Sequence, residues 1–173
     1  RTVGSPLQGH PNLQKLPCLD CAVGSLGQGP SIANGMALAL KLKGKPQQVF
    51  CLIGDGEQQE GQVWEAAAFA GQHHLDNVCL IVDCNGLQLV DSMADIKDME
   101  PMDAKWESFG WHVLRVDGHD TDALYDAYGR RKPVLINRRS SWPRPSRARA
   151  FLIWKTRPNG TVLRPMKPST LRP

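Results

Sequence analysis

Three short apolar runs punctuate the chain: VFCLI (49–53), VCLIVDC (78–84) and, less purely apolar, WHVLRVDG (111–118). The first two do not alternate with polar residues, as expected of strands covered on both faces in a parallel sheet. Around them the spacing becomes helical. Ile32, Met36, Leu40 and Leu38 follow the glycine turn GSLGQGPS (24–31) and predict a helix that ends at Gly44. GQVWEAAAFAGQHH (61–74) is an Ala-rich helix, PMDAKWESFG (101–110) a short amphipathic one, and DTDALYDAYGRR (120–131) a helix with Asp120 as its N-cap. Residues 1–23 are rich in Gly and Pro and predict irregular chain. The repeated strand–helix order predicts an α/β fold, a doubly wound and mainly parallel sheet with helices on both faces. In such folds ligands sit at the carboxyl ends of the strands.

Composition narrows the class. A length of 173 residues suffices for one domain with a real core and would cramp two. No run of about 18 apolar residues occurs, so no transmembrane helix is expected. The opening RTVGSPLQGHPN has neither a signal-peptide core nor an initiator Met, which predicts a fragment. The five cysteines are an odd number, and Cys51 and Cys79 lie inside apolar runs. Both features predict a reducing cytoplasm and not a disulfide framework. Cys18 and Cys21 form a lone CxxC without a second pair or a His at metal spacing, which argues against zinc.

Charge divides the chain. Residues 138–173 carry ten Lys/Arg and no Asp or Glu, leaving 11 basic and 17 acidic groups in residues 1–137. The net charge of +4 therefore describes neither part. Residues 1–137 read as the functional domain and residues 138–173 as a basic Pro/Arg-rich tail.

The candidate chemistry lies where the first two strands end. GDG (54–56) follows one and DCNG (83–86) the other. If the strands are neighbours, Asp55 and Asn85 face one crevice. A carboxylate and an amide oxygen suit a hard cation such as Mg²⁺ or Ca²⁺. Gly54 and Gly56 leave backbone N–H groups open to a phosphate, with a helix start behind them. Either turn alone reads as a simple tight turn; the pair, each closing an apolar strand, favours a site.

Here a resemblance enters. GDG followed about thirty residues later by an Asn-bearing turn resembles the thiamine diphosphate signature. GSLGQG, GDGEQQEGQVWEA, DNVCLIVDCNGLQ and KWESFGWHVLRVDGHD together resemble transketolase, from about Leu7 to about Arg130. The GLQ after Asn85 is similar to the bacterial split form, whose diphosphate-binding (PP-type) domain is a separate subunit. The resemblance implies thiamine diphosphate as cofactor and Mg²⁺ or Ca²⁺ held by Asp55, Asn85 and the carbonyl of Leu87. It implies Gly56 at the diphosphate and Gly24, Ser25 and Leu26 along the cofactor, with Leu26 near the thiazolium. His10 would contact the donor sugar, and Glu60 would join a carboxylate network at a subunit interface. The implied activity is transfer of a two-carbon ketol unit from a ketose phosphate to an aldose phosphate. The implied partner is a C-terminal subunit with the pyrimidine-binding domain, in a two-plus-two hetero-oligomer, without a membrane. An upstream active-site His and the pyrimidine domain have no counterpart here, so the chain alone is expected to be inactive. Cys18, Cys21-Ala22 and Cys84 depart from the family pattern. Deoxyxylulose-phosphate synthase is a related alternative, against which GSLGQG and QEGQVWEA argue.

The tail allows other readings. Arginines interleaved with Trp and Phe in WPRPSRARAFLIWKTRPNGTVLRP (142–165) could grip nucleic acid, making the chain a non-enzymatic module, or the tail could be disordered. The favoured reading is translation out of frame. The split subunits close with a segment like KTVKGKGVSYMEN. Its codons read one base late give Pro145 to Phe151, then Leu152 to Thr156, and an EWHG continuation gives Asn159 to Val162. That reading predicts poor packing over 138–173 and few specific contacts, with nucleic acid a lesser possibility.

Overall fold

The computed structural model describes residues 3–89, 91–129 and 149–154. The elements are α1 (Gln28–Leu42), β1 (Val49–Gly54), a 3-10 turn (Gly56–Gln59), α2 (Gly61–Gln72), β2 (Val78–Cys84), α3 (Met93–Ile96), α4 (Met102–Ser108), β3 (His112–Asp117), α5 (Thr121–Gly129) and β4 (Arg149–Trp154). The strands form one sheet in the order β1-β2-β4-β3, with every pairing parallel. A parallel pair cannot close through a hairpin, so helices separate successive strands.

The packing of β2 explains why it has no polar residue before Asp83. Val78, Leu80, Val82 and Cys84 face a core built with Ala33 and Ala37 of α1, Val63 and Ala67 of α2, and Trp106 of α4. Cys79 and Ile81 face the other side with Ala127 of α5 and Val116 of β3. Helices therefore lie on both faces, as the α/β reading expects. β1 departs from that expectation. Val49 and Ile53 join the core, but Phe50 is 47% and Leu52 69% exposed. This strand is at the sheet edge, where Tyr128 of α5 meets Phe50 edge-on.

Helix α1 also buries a different stripe from the one its large apolar residues predict. Pro30, Ala33, Asn34 and Ala37 are buried, whereas Ile32 is 37% exposed and Met36, Leu38 and Leu40 pack at the core margin. Small residues let α1 approach α2 closely, and Asn34 Nδ2 donates to the Ala66 carbonyl at 2.8 Å. Gly71 of α2 marks another close approach, because a β-carbon there would collide with the Phe109 carbonyl oxygen. Asp120 caps α5 as expected, accepting from the N–H groups of Asp122 and Ala123 at 3.0 and 2.9 Å.

The C-terminal segment requires a correction. Arg149–Trp154, for which poor packing was expected, is β4, paired along its length with β2 on one side and β3 on the other. A boundary at residue 137 therefore does not separate these six residues from the sheet. The physical reason is local: RAFLIW is an apolar, strand-prone run inside a basic composition, and the space between β2 and β3 offers it two ladders of backbone partners. The other residues of the proposed tail, and the KPVLI run (132–136), lie outside the described residues. Among the described residues no helix is long and apolar enough to cross a membrane.

Candidate cofactor site at the carboxyl edge of the sheet

The parallel register pairs Gly54 with Asp83, so the turns that leave β1 and β2 emerge side by side. The topological expectation for GDG and DCNG is met, and Asp55 joins the two turns directly. Its Oδ1 accepts from Gly56 N at 2.8 Å and its Oδ2 from Gly86 N at 2.7 Å. Its own N–H donates to the Asp83 carbonyl at 3.2 Å. Gly86 holds φ +72°, a left-handed conformation that glycine adopts without strain. Beside it Asn85 is exposed, and its Oδ1 accepts from Leu87 N at 2.9 Å. Leu87 is bridged to Ser92, and Met93 N donates to the Gly86 carbonyl at 3.0 Å. The second turn is thereby tied back on itself.

Asp55 is 2% exposed and makes no ion pair among the described residues. Burial pushes its pKa up; the Gly86 and Gly56 N–H groups oppose that shift, and the nearby Asp83 charge adds to it. A buried carboxylate with two N–H donors and no basic side chain paired to it is chemically suited to a bound cation. The described residues contain no group of three or more His, Cys, Asp or Glu placed to hold a metal. A metal here would combine Asp55 with neutral oxygens, and the Asn85 amide and Leu87 carbonyl stand in the adjoining turn. The donor set fits a hard divalent cation.

The glycine amides differ from expectation. Gly54 N and Gly56 N, read as open to a phosphate, both donate to carboxylates of this chain, Glu57 and Asp55 respectively. Gly56 has a second constraint: a β-carbon there would lie 3.1 Å from Gln88 Cβ.

Glu57 was not among the sequence candidates, and it connects two segments that carry them. Its Oε1 accepts from Gly27 N at 2.9 Å and its Oε2 from Gly54 N at 3.2 Å. Gly27 is buried, holds φ +81° and begins α1. The segment Gly24, Ser25 and Leu26, exposed throughout, runs directly into it. One carboxylate thus fastens the GSLG turn to the end of β1. The only sequence signal was an acidic residue three positions after Gly54. Glu60 is exposed and borders the same glycine, since a β-carbon on Gly27 would lie 2.9 Å from Glu60 Cβ.

Behind the turn Gln58 is fully buried. Its Oε1 accepts from Trp106 Nε1 at 2.7 Å and its carbonyl from Trp64 Nε1 at 2.8 Å. These bonds anchor the 3-10 turn to the aromatic core. His10 lies exposed in the N-terminal loop and makes no hydrogen bond or ion pair among the described residues, so nothing ties it to Asp55. Burial raises the thiols of Cys51 and Cys84 to about 12, which keeps both protonated and unsuited to nucleophilic work.

The family model described as Transketolase, thiamine diphosphate binding domain, matches residues 1–146. A 6-deoxy-6-sulfo-D-fructose transketolase subunit of Clostridium sp. (strain MSTE9) is 43% identical over 141 residues, 78% of this chain and 51% of the relative. An apulose-4-phosphate transketolase subunit of Actinobacillus succinogenes is 43% identical over 70% of this chain and 44% of its own length. Human transketolase is 44% identical over 76% of this chain and 21% of its own length. The chain thus spans about half the length of the first of these relatives and less of the others. Among solved structures, transketolase from Campylobacter jejuni superposes with a TM-score of 0.69 at 31% identity, covering 90% of this chain and 23% of that one.

Proposed function

This chain belongs to the transketolase family, in its thiamine diphosphate-binding domain, and from that premise we propose that it is the diphosphate-binding part of a split, Mg²⁺-dependent transketolase. The observation that carries the reading is the buried Asp55 carboxylate, which makes no ion pair among the described residues and is bonded to both turns of the sheet edge. In this proposal Asp55, the Asn85 side chain and the Leu87 carbonyl hold Mg²⁺, with Ca²⁺ as a substitute. Gly54 and Gly56 form the backbone surface that the diphosphate approaches, and Gly24, Ser25 and Leu26 line the cofactor. His10 orients the donor sugar, and Glu60 faces a carboxylate network at the subunit interface.

Thiamine diphosphate, when bound, supplies the nucleophilic carbon and electron sink for breaking and making a carbon–carbon bond. The residues of this chain anchor and orient. Asp55 contributes the one formal negative charge among the proposed ligands, Glu57 fixes the turn beside the cofactor, and Leu26 offers an apolar surface that limits water. The proposed reaction moves a two-carbon ketol unit from a ketose phosphate to an aldose phosphate in the cytoplasm. The activating pyrimidine-binding domain comes from a partner subunit, in a two-plus-two assembly, and the chain alone does not turn over. Residues 138–173 are proposed to be read out of frame, with β4 formed by an apolar run that arises in the shifted frame.

Reconstitution tests the function. The chain with its C-terminal frame restored, mixed with a pyrimidine-domain subunit, is expected to transfer ketol units, and neither part alone should do so. No transfer from a mixture that assembles and binds thiamine diphosphate would reject it. Sequencing the encoding DNA tests the frame, because a KGKGVS reading must lie one base away.

A further inference from the structure

Gln88 stands beside the proposed site without a role in it, and its surroundings give it one. The residue follows Leu87 in the turn beyond β2, where Gln88 N donates to the Asp91 carbonyl at 3.0 Å and Leu87 is bridged to Ser92. Its backbone is therefore held in place. Its side chain lies against the glycine of GDG: a β-carbon on Gly56 would come within 3.1 Å of Gln88 Cβ and 3.6 Å of Gln88 Oε1. Its Nε2 is buried and has no hydrogen-bond partner among the described residues. A primary amide nitrogen carries two N–H donors. Burying them without an acceptor is unfavourable, and native structures rarely do so unless an ion, water or ligand completes the site.

We propose that Gln88 is a further cofactor-binding residue, whose Nε2 donates a hydrogen bond to a phosphoryl oxygen of the diphosphate. This rests on the proposed function, since it takes the crevice between GDG and the second turn to be the diphosphate site. Gly54 N and Gly56 N are both engaged by carboxylates of the chain. A side-chain donor with no internal acceptor is free for an anion. The amide is neutral, so it can stand beside Asp55 without an additional charge and still complement a phosphoryl oxygen. The Cβ-free surface of Gly56 gives this side chain its place, which assigns that glycine a packing reason besides backbone approach.

The test compares the full chain with Gln88→Leu, similar in size and without the donors, and Gln88→Glu, which replaces donors by acceptors. Tryptophan fluorescence follows binding, because Trp64 and Trp106 are bonded to Gln58 behind the turn. Thiamine diphosphate is titrated at fixed Mg²⁺, Mn²⁺ is titrated alone, and thermal unfolding is recorded without ligands. Gln88→Leu is expected to weaken thiamine diphosphate by about tenfold or more, the scale of one hydrogen bond to a charged acceptor. Gln88→Glu should weaken it further. Mn²⁺ affinity of Gln88→Leu should stay within about twofold, since a lost phosphate contact leaves the metal ligands in place. Its ligand-free unfolding temperature should hold or rise, since the variant removes a buried donor that has no partner. Unchanged thiamine diphosphate affinity in both variants overturns the proposal. So does a fall in ligand-free stability of Gln88→Leu together with Mn²⁺ affinity, which would make Gln88 a structural residue. If the unsubstituted chain binds no thiamine diphosphate with Mg²⁺, the assignment of the site itself fails, a result distinct from either of these.

Discussion

Removing the Glu57 carboxylate should loosen two segments distant in sequence, at Gly27 and at Gly54. In Glu57→Ala, Gly27 N loses its 2.9 Å acceptor and Gly54 N its 3.2 Å acceptor. The first loss is the larger, because Gly27 is buried and water cannot replace the oxygen without opening the turn. A hydrogen bond to a charged acceptor contributes about 1.5–3 kcal/mol. The longer bond to half-buried Gly54 is put at the lower neutral value of about 0.5–1 kcal/mol. The expected loss is then about 2–4 kcal/mol, a large share of the roughly 5–15 kcal/mol stability of an ordinary domain. Glu57→Gln should lose less, since one amide oxygen can still accept from Gly27 while its NH₂ group meets the Gly54 donor. Urea unfolding gives the magnitude, provided the slope of free energy against denaturant is unchanged. Amide hydrogen exchange gives the location: Gly27 and Gly54 should exchange faster, and residues of β2 should change less. A loss under about 0.5 kcal/mol at constant slope, with Gly27 exchange unaltered, would refute the bridge.

The same geometry makes other substitutions informative. Gly71→Ala should destabilise the chain by at least about 2 kcal/mol in urea unfolding, although the change raises intrinsic helix propensity, because the new methyl meets the Phe109 carbonyl oxygen. Arg115→Ala should cost less than about 1 kcal/mol, since its pairs with Asp103 and Glu100 are largely exposed and screened; a salt series on both proteins checks this. Acidification separates two effects at Asp55. Its folded pKa is raised, so the ligand-free folded state binds the proton first, and this group's contribution to stability grows as pH falls through the raised value. Mg²⁺-dependent cofactor binding should weaken over the same window, because the proton competes for the carboxylate. Paired unfolding and binding titrations should show opposite slopes, both attributable to Asp55 by their absence in Asp55→Ala.

What could be read in the sequence depended on whether a signal was local. The strands β1 and β2 and the cap at Asp120 follow from contiguous patterns, and the meeting of GDG with the second turn follows from parallel topology. The buried face of α1 was missed because Ala33, Asn34 and Ala37 carry little hydrophobic signal; their value lies in being small. β4 was missed because RAFLIW sits in a segment whose Arg and Pro content dominates its composition. The uncovered face of β1 depends on how far α5 extends, which no property of VFCLI determines. At the site, Asp55 was visible through its flanking glycines. Glu57 acts on Gly27 and Gln88 packs on Gly56, both contacts made in space between separate turns.

The most direct test of the central claim is calorimetric titration of the full chain with thiamine diphosphate, with and without Mg²⁺, alongside Asp55→Ala. The account predicts saturable binding that requires Mg²⁺ and disappears in Asp55→Ala, with the variant's far-UV circular dichroism unchanged. Absence of binding by the unsubstituted chain, or binding equally tight without the metal or without the Asp55 carboxylate, would contradict it.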